Sequence, residues 1–167
     1  ERRSQGEVDG IRIGVSACDA VTAGFQRGQL VVLGAVPKTG KSTFAAQLAL
    51  YVALHGQGGA AFVAAEMPRR AVTERMLSAL AGVPSHAMQR GHLSEHEWRR
   101  LVTAEARMRH APLWIDDQAF PELRDVEQRV LALKAQHPTL ALVVVDYLQL
   151  VQHRLKGRRG DEEIEAV

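Results

Sequence analysis

The sequence predicts an α/β domain with a mainly parallel sheet and helices on both of its faces. Short apolar runs that suit buried strands alternate with longer segments whose apolar residues recur every three or four positions. This alternation favours parallel strand pairing through right-handed crossover connections. With 167 residues, the chain is long enough to bury a substantial core within one domain.

The predicted elements follow one another in a regular order. Four apolar or β-branched runs are predicted as strands, over 30–33, 60–64, 113–115 and 142–145. Four segments are predicted as helices, over 41–55, from 69 to about 82, from 94 onward and over 121–136. The continuous apolar run at 30–33 suits a strand buried on both faces. Ser94 with Glu97 three residues later is a capping-box signature, and Gly56 and Gly82 stand where helices should end.

Composition and charge are those of an ordinary globular domain. Hydrophobic residues make up 46% and charged residues 24%, and the formal net charge of +2 does not by itself indicate a nucleic-acid partner. Cys18 is the one cysteine, which excludes an internal disulfide and a cysteine-based zinc site. The most apolar segment, 140–151, is interrupted by Asp146 and is too short to span a bilayer, so we expect a cytoplasmic protein with no membrane partner. Trp98 and Trp114 are expected to pack in the core.

The two ends of the sequence differ from its middle. Residues 1–10 are polar and contain glycine, so we expect a linker or a flexible terminus there. Residues 11–167 are expected to form a partial domain that is truncated at its C-terminus. The sequence starts at Glu1 rather than at a methionine, and it stops at Val167 inside a charged, helix-like segment.

A phosphate-binding loop is predicted between the first strand and the first helix. Residues 35–42, Ala-Val-Pro-Lys-Thr-Gly-Lys-Ser, match the P-loop pattern with Ala35 in place of its first glycine. In such a loop, backbone N–H groups cradle phosphate oxygens beside the positive end of the following helix. Lys41 is expected to neutralise the β- and γ-phosphates, and the Ser42 hydroxyl to ligate Mg²⁺. A chance Gly-Lys-Ser is the alternative, and the strand before and helix after favour the P-loop. The predicted nucleotide contacts are Pro37, Lys38, Thr39, Gly40, Lys41, Ser42 and Thr43.

Two further acidic positions suit the hydrolysis of a nucleotide. Such a reaction needs a carboxylate for the metal and a group that orients or activates water. Asp146 follows the apolar run Leu-Val-Val-Val and is preferred for the metal over Asp116, whose strand is shorter. Asp116 is then expected to act as a cap or to support the site indirectly. Glu66 directly follows the second strand, where catalysis and an ordinary surface position remain equal alternatives.

Five segments in this order resemble the ATPase domain of DnaB-type replicative helicases: 23–30, 35–42, 65–68, 114–117 and 145–150. The Glu-Met-Pro and Asp-Tyr-Leu-Gln-Leu pieces are more specific than the P-loop. The resemblance spans roughly 10–167 and implies a RecA-like P-loop fold that assembles as a hexameric ring, binds ATP with Mg²⁺ between subunits, and moves along single-stranded DNA. Carried over by position, it implies that Lys41 and Glu66 are catalytic, that Ser42 and Asp146 serve the metal, and that Gln149 contacts the nucleotide site.

The same resemblance implies partners and missing parts. A primase and a helicase loader are expected partners of the complete protein. The family's amino-terminal domain, a sensor glutamine and an arginine finger are not found in this sequence. Loss of an arginine finger costs on the order of a thousandfold in rate, so the chain alone is expected to turn over ATP weakly or not at all.

A basic segment follows the last predicted strand. Its cations are Arg154, Lys156, Arg158 and Arg159. The flanking glycines suit a mobile loop that grips phosphates, and the resemblance implies that this loop faces DNA. A solvated surface loop is an equal alternative, because few aromatic residues are near for base stacking.

Other functions remain open at this point. They are another RecA-like ATPase related to recombinases or clock proteins, and a nucleotide switch that does not hydrolyse. A small-molecule kinase would need a substrate lid and an arginine cluster that the sequence does not show. GTP specificity lacks the expected Asn-Lys-x-Asp segment. The histidine pair His92 and His96 has no further ligands and is expected at the surface rather than at a metal.

Overall fold

A computed structural model of the chain describes residues 10–119 and 121–147. Within those ranges it has six helices and a three-stranded sheet. The helices are α1 (Ser16–Thr22), α2 (Lys41–Leu54), α3 (Arg69–Ala81), α4 (Ser85–Arg90), α5 (Glu95–His110) and α6 (Leu123–Gln136). The strands are β1 (Gly59–Ala64), β2 (Leu113–Asp116) and β3 (Leu140–Asp146).

The sheet is parallel, in the order β2-β1-β3. Phe62 in the central strand lies opposite Ile115 of β2 and Val144 of β3. Ala64, the last residue of β1, lies opposite Asp146, the last residue of β3. The carboxyl ends of the strands therefore meet at one edge, as the alternation of strand and helix predicted.

Helix boundaries follow the predicted start and stop signals. α3 ends at Ala81, and Gly82 follows in the left-handed region with φ 61°. α5 begins with the predicted capping box: the Ser94 side chain accepts from the Glu97 backbone N–H, and the Glu97 carboxylate accepts from the Ser94 backbone N–H. The second, third and fourth predicted strands and the four predicted helices are confirmed within a few residues.

The core lies between α2 and the sheet. Seven of the 14 residues of α2 are buried, and Ala49 and Val52 are fully buried. On β1, Phe62 belongs to this core, whereas Val63 points to the opposite face and is also buried. Both faces of the central strand are thus covered, and α6 packs against β3. Burial on most of its sides fixes α2, and with it the end of the loop that precedes it.

The prediction of a first strand over 30–33 is wrong. The segment forms no ladder with any strand in the described ranges, and Leu30 and Val32 are 88% and 80% exposed. An apolar run reports only that burial would be favourable. A strand also needs a neighbouring backbone in register to take its hydrogen bonds, and β3 pairs with β1 alone among the described strands.

The expected burial of Trp98 is also wrong. Its side chain is 59% exposed, whereas Leu101 and Ala104 are the buried residues of α5. Successive residues of a helix are rotated by about 100°, so the contact face centres between Leu101 and Ala104 and leaves Trp98 on its flank. Trp114 is partly buried, and its ring lies 4.4 Å from the ring of His137.

No helix in the described ranges is long and apolar enough to cross a membrane. Residues 1–9, most of the predicted linker, lie outside those ranges. The described chain begins at Gly10, whose backbone N–H donates to Ala23, beside the antiparallel bridge between Ile11 and Phe25.

Candidate nucleotide-binding site

The loop before α2 makes a tight turn at the edge of the sheet. The Thr39 backbone N–H and hydroxyl both donate to the Val36 carbonyl, at 3.3 and 2.7 Å. Lys38 and Gly40 have positive φ values of 67° and 97°. Gly40 adopts this conformation without the penalty that a Cβ would impose, and it is the N-cap of α2.

The N-terminus of α2 offers free backbone donors. The first bond within the helix runs from the Phe44 N–H to the Gly40 carbonyl at 2.9 Å, so the N–H groups of Lys41, Ser42 and Thr43 have no partner inside the helix. Gly40 supplies no side-chain cap, and the first turn holds no acidic residue. A Cβ built on Gly40 would meet no atom of the described chain within 4 Å. Open space beside free N–H groups and a positive helix end suits an anion such as a phosphate.

Ser42 and Asp146 meet across the edge of the sheet. The Ser42 hydroxyl donates to Asp146 Oδ1 at 3.1 Å, although the residues are 104 positions apart. Asp146 is 5% exposed and is the one buried charged residue in the described ranges. Hydroxyl and carboxylate oxygens are the ligands that Mg²⁺ prefers, so the residues present fit that ion.

Lys41 lies over an aromatic ring beside the same pair. Its Nζ is 5.1 Å from the centre of the Tyr147 ring, within the range of a cation–π contact. Tyr147 directly follows Asp146, so one strand end supplies both the carboxylate next to Ser42 and the ring under Lys41. No role was predicted for Tyr147, and its position immediately after Asp146 is the signal that could have identified it.

Glu66 lies beyond the end of the central strand. The backbone N–H of Ala65 donates to the Asp146 carbonyl at 2.9 Å, which places the next residue, Glu66, beside the tip of β3. Its side chain is exposed and makes no hydrogen bond or ion pair with any residue in 10–119 or 121–147. The carboxylate is therefore accessible to water at the edge where Ser42 and Asp146 meet.

Asp116 is engaged elsewhere. Its Oδ2 accepts from Arg129 of α6 at 2.6 Å, and its Oδ1 accepts from the Gln118 backbone N–H at 3.2 Å. β1 separates β2 from β3, so Asp116 stands two strands away from Asp146. The structure thus brings Asp146, not Asp116, to Ser42.

Asp117 makes a contact with the start of α3 that the sequence did not predict. Its Oδ2 accepts from the backbone N–H of Arg69 at 2.8 Å, and its Oδ1 lies 3.4 Å from the Arg69 guanidinium. The hydrogen bond from that backbone N–H, and then the arginine charge, lower the pKa of Asp117. No local pattern could have predicted the pair, because it depends on β2 lying beside β1.

Several predicted site residues fall outside the described ranges. They are Gln149 and the four cations Arg154, Lys156, Arg158 and Arg159. Among the residues that the structure does describe, no group of three or more histidine, cysteine, aspartate or glutamate side chains could hold a metal ion.

A parallel α/β sheet with a phosphate-binding loop at the start of its central helix defines the class of protein, a nucleotide-binding domain of the P-loop type. The chain belongs to the DnaB-like helicase C-terminal domain family, whose sequence model matches residues 10–167. This confirms the resemblance seen in the sequence and decides against an unrelated RecA-like family.

Curated relatives are replicative DNA helicases. The chain is 33% identical over 158 residues to DnaB of Geobacillus stearothermophilus and 32% identical over 160 residues to DnaC of Bacillus subtilis. Each alignment covers 95% of this chain and 35% of the relative. The chain thus spans about a third of the length of these helicases.

Solved structures share the fold. One described as the ATPase domain of G40P superimposes with a TM-score of 0.88 at 20% identity, covering 98% of this chain and 58% of that one. A DnaB-like replicative helicase, described together with its interactions with primase, gives a TM-score of 0.87 at 21% identity over 95% of this chain and 38% of that one. The RecA-like fold expected from the sequence is confirmed.

Proposed function

We propose that the chain is the ATP-binding and ATP-hydrolysing core of a ring-forming, DnaB-like helicase that moves along single-stranded DNA. The observation that carries the proposal is the contact between Ser42, at the N-terminus of α2, and the buried Asp146 at the tip of β3. Two segments far apart in sequence meet where a P-loop protein needs oxygen ligands for a metal ion beside a phosphate site.

Different groups of the chain are proposed to bind the phosphates and the metal ion. The free N–H groups at 41–43 hold phosphate oxygens, and Lys41 neutralises their charge. Pro37, Lys38, Thr39 and Gly40 shape the loop around the triphosphate. Ser42 and Asp146 would hold Mg²⁺, which when bound would neutralise negative charge on the phosphates.

Glu66 is the group that orients and activates water. A general base must be able to reach the proton it removes, and the Glu66 carboxylate stands unpaired among the described residues at the edge that holds Ser42 and Asp146. Gln149 follows Asp146 by three residues and is proposed to contact the nucleotide from the same strand end.

DNA and protein partners belong to the complete protein, which we place in the cytoplasm. Arg154, Lys156, Arg158 and Arg159 are proposed to contact the phosphates of single-stranded DNA. We propose that the complete protein forms a hexameric ring and works with a primase and a loader; the solved DnaB-like helicase that is described with its interactions with primase supports the primase contact.

The test is ATP turnover by the full-length protein with and without single-stranded DNA. We expect DNA to stimulate turnover and a forked duplex to be separated in an ATP-dependent way. Lys41→Ala should abolish both activities, because the phosphates lose their nearest cation. Tight ATP binding with no turnover under any condition would instead identify a nucleotide switch and overturn the proposal.

A further inference from the structure

The loop that carries Glu66 joins β1 to α3 and is short. At its start, the Ala65 backbone N–H is bonded to the Asp146 carbonyl at 2.9 Å. In its middle, Met67 is partly buried and packs against the main core. Its far end is the first residue of α3, Arg69, three residues beyond Glu66. Any contact that fixes Arg69 therefore restricts the backbone from which Glu66 projects.

α3 has no N-terminal cap within its own sequence. The N-cap is Pro68, whose side chain cannot accept a hydrogen bond, and the first turn contains no acidic residue. The Arg69 N–H is thus one of the donors that a helix leaves without an internal partner. Asp117 supplies the missing acceptor at 2.8 Å, from the segment that directly follows β2. The cap is provided by a neighbouring strand.

The cap is also electrostatic. A carboxylate next to a helix N-terminus is stabilised by the backbone dipoles, and a charged acceptor makes a stronger hydrogen bond than a neutral one. The pKa of Asp117 is lowered, first by the hydrogen bond from the Arg69 backbone N–H, so the contact favours the charged form of the side chain. The Arg69 guanidinium at 3.4 Å adds an exposed ion pair, which contributes little by comparison.

We propose that Asp117 is a positioning residue for Glu66: by holding the first N–H of α3, it fixes the far end of the connecting loop and the placement of the Glu66 carboxylate. This inference rests on the catalytic role proposed for Glu66. Asp117 lies at the tip of β2, on the opposite side of β1 from Asp146, so the loop is held from both neighbouring strands.

The test uses DNA-stimulated ATP turnover by the full-length protein, with ATP affinity measured separately. Asp117→Ala should lower kcat roughly tenfold, since a displacement of a catalytic group by about 1 Å can cost up to a hundredfold. ATP affinity should not change, because Asp117 does not lie among the proposed phosphate or metal contacts. Asp117→Asn should restore most of kcat, because its amide oxygen still accepts the Arg69 N–H.

Two substitutions at Arg69 separate the backbone bond from the ion pair. Arg69→Ala keeps the backbone N–H and should turn over ATP like the wild type. Arg69→Pro removes that N–H at the first position of a helix, where proline is well tolerated. Arg69→Pro should therefore lower kcat as much as Asp117→Ala is expected to, and it tests the same bond if Asp117→Ala folds poorly. The two substitutions combined should lower kcat no further than either does alone.

Asp116→Ala is the matched control. It removes the neighbouring carboxylate together with both of its contacts, the one with Arg129 of α6 and the one with the Gln118 backbone N–H, without touching the loop at 65–68. It should lower the thermal unfolding midpoint at least as much as Asp117→Ala and leave kcat unchanged. An equal loss of kcat in both aspartate variants would show a general structural effect and overturn the inference.

Glu66→Gln, measured in parallel, separates this inference from the proposed function. If Glu66→Gln is inactive while Asp117→Ala and Arg69→Pro keep the wild-type kcat, the positioning role is refuted and the proposed function stands. If Glu66→Gln itself turns over ATP normally, the catalytic role of Glu66 is refuted, and the positioning role with it.

Discussion

At the scale of single residues, Asp146 is the most informative position. A buried carboxylate is costly unless it is hydrogen-bonded or binds a metal ion, and in the described ranges its side chain has one hydrogen-bond partner, the Ser42 hydroxyl. One neutral donor offsets only part of the cost of burying a charge. The carboxylate oxygens can accept further ligands, which fits a bound cation. This is the role predicted for Asp146 from the apolar run that precedes it.

Ser42→Ala tests this pair. Removing one metal-coordinating oxygen should raise the Mg²⁺ concentration needed for half-maximal ATP turnover by roughly tenfold, the scale found when groups around a metal site are removed. Turnover should be measured against Mg²⁺ at saturating ATP. Thr103→Ala is the control, because that hydroxyl bonds only the Arg99 carbonyl of its own helix in the described chain. An unchanged Mg²⁺ requirement in Ser42→Ala would contradict the assignment.

The sequence predicted some of the side-chain contacts around the candidate site and could not have predicted others. Ser42 and Asp146 were predicted to share a site because the P-loop motif and the predicted parallel pairing of strands place both at one edge of the sheet. The Lys41–Tyr147 contact and the Asp117–Arg69 cap depend on side-chain direction and on the order β2-β1-β3, which no local pattern encodes.

At the level of helices and strands, the sequence predicted correctly those features that depend on one element alone. The capping box at Ser94 marked the start of α5, and Gly82 marked the end of α3. The predictions failed where the outcome depends on a second element. The run at 30–33 lacked a strand partner in the described ranges, and Trp98 fell beside the face that α5 turns toward α3.

Ser94→Ala should destabilise the domain by about 1 kcal/mol, the usual cost of removing an N-cap side chain. The helix N-terminus would lose the acceptor that now satisfies the Glu97 backbone N–H. Urea denaturation of the full-length protein, followed by circular dichroism, measures the change. Ser85→Ala is the control, since α4 has Pro84 as its N-cap and no side-chain cap bond. Equal unfolding midpoints for wild type and Ser94→Ala would contradict the prediction.

Acid should weaken the N-termini of α3 and α5. The pKa of Asp117 is lowered by the Arg69 backbone N–H, and the pKa of Glu97 is lowered by hydrogen bonds from Ser94. A carboxylate whose pKa is depressed in the folded state stabilises fully above its unfolded pKa of about 4, and this contribution is lost as the pH falls through the folded pKa.

The contribution of these two carboxylates to the free energy of unfolding should therefore be constant between roughly pH 5 and 8, and it should fall below about pH 4. Asp117→Asn combined with Glu97→Gln should flatten the acid limb in thermal unfolding measured across pH. If the double variant loses stability in acid as steeply as the wild type, these two carboxylates are not responsible.

At the scale of the whole molecule, the order of motifs identified the family before any contact was known. Specific segments such as Glu-Met-Pro and Asp-Tyr-Leu-Gln-Leu gave a resemblance that the family match over 10–167 confirmed. The arrangement of the proposed ring could not be derived in the same way, because the chain spans about a third of the length of its curated relatives.

The basic segment after β3 is testable at this scale. Replacing Arg158 and Arg159 with alanine should weaken single-stranded DNA binding and reduce the slope of log K against log salt by roughly 1.4, or 0.7 for each lost phosphate contact. Arg107→Ala with Arg109→Ala, two exposed arginines of α5, is the matched control and should leave the slope unchanged. An unaltered slope in the first pair would remove that segment from the DNA site.

The proposed ATPase function is best tested by comparing wild type and Glu66→Gln for hydrolysis and binding of Mg-ATP in the presence of single-stranded DNA. We expect the full-length variant to bind the nucleotide as tightly as the wild type, because the P-loop, Ser42 and Asp146 are intact. Its turnover should fall at least a hundredfold, the lower end of the usual contribution of a general base. If the variant hydrolyses ATP at the wild-type rate, Glu66 is not the catalytic group.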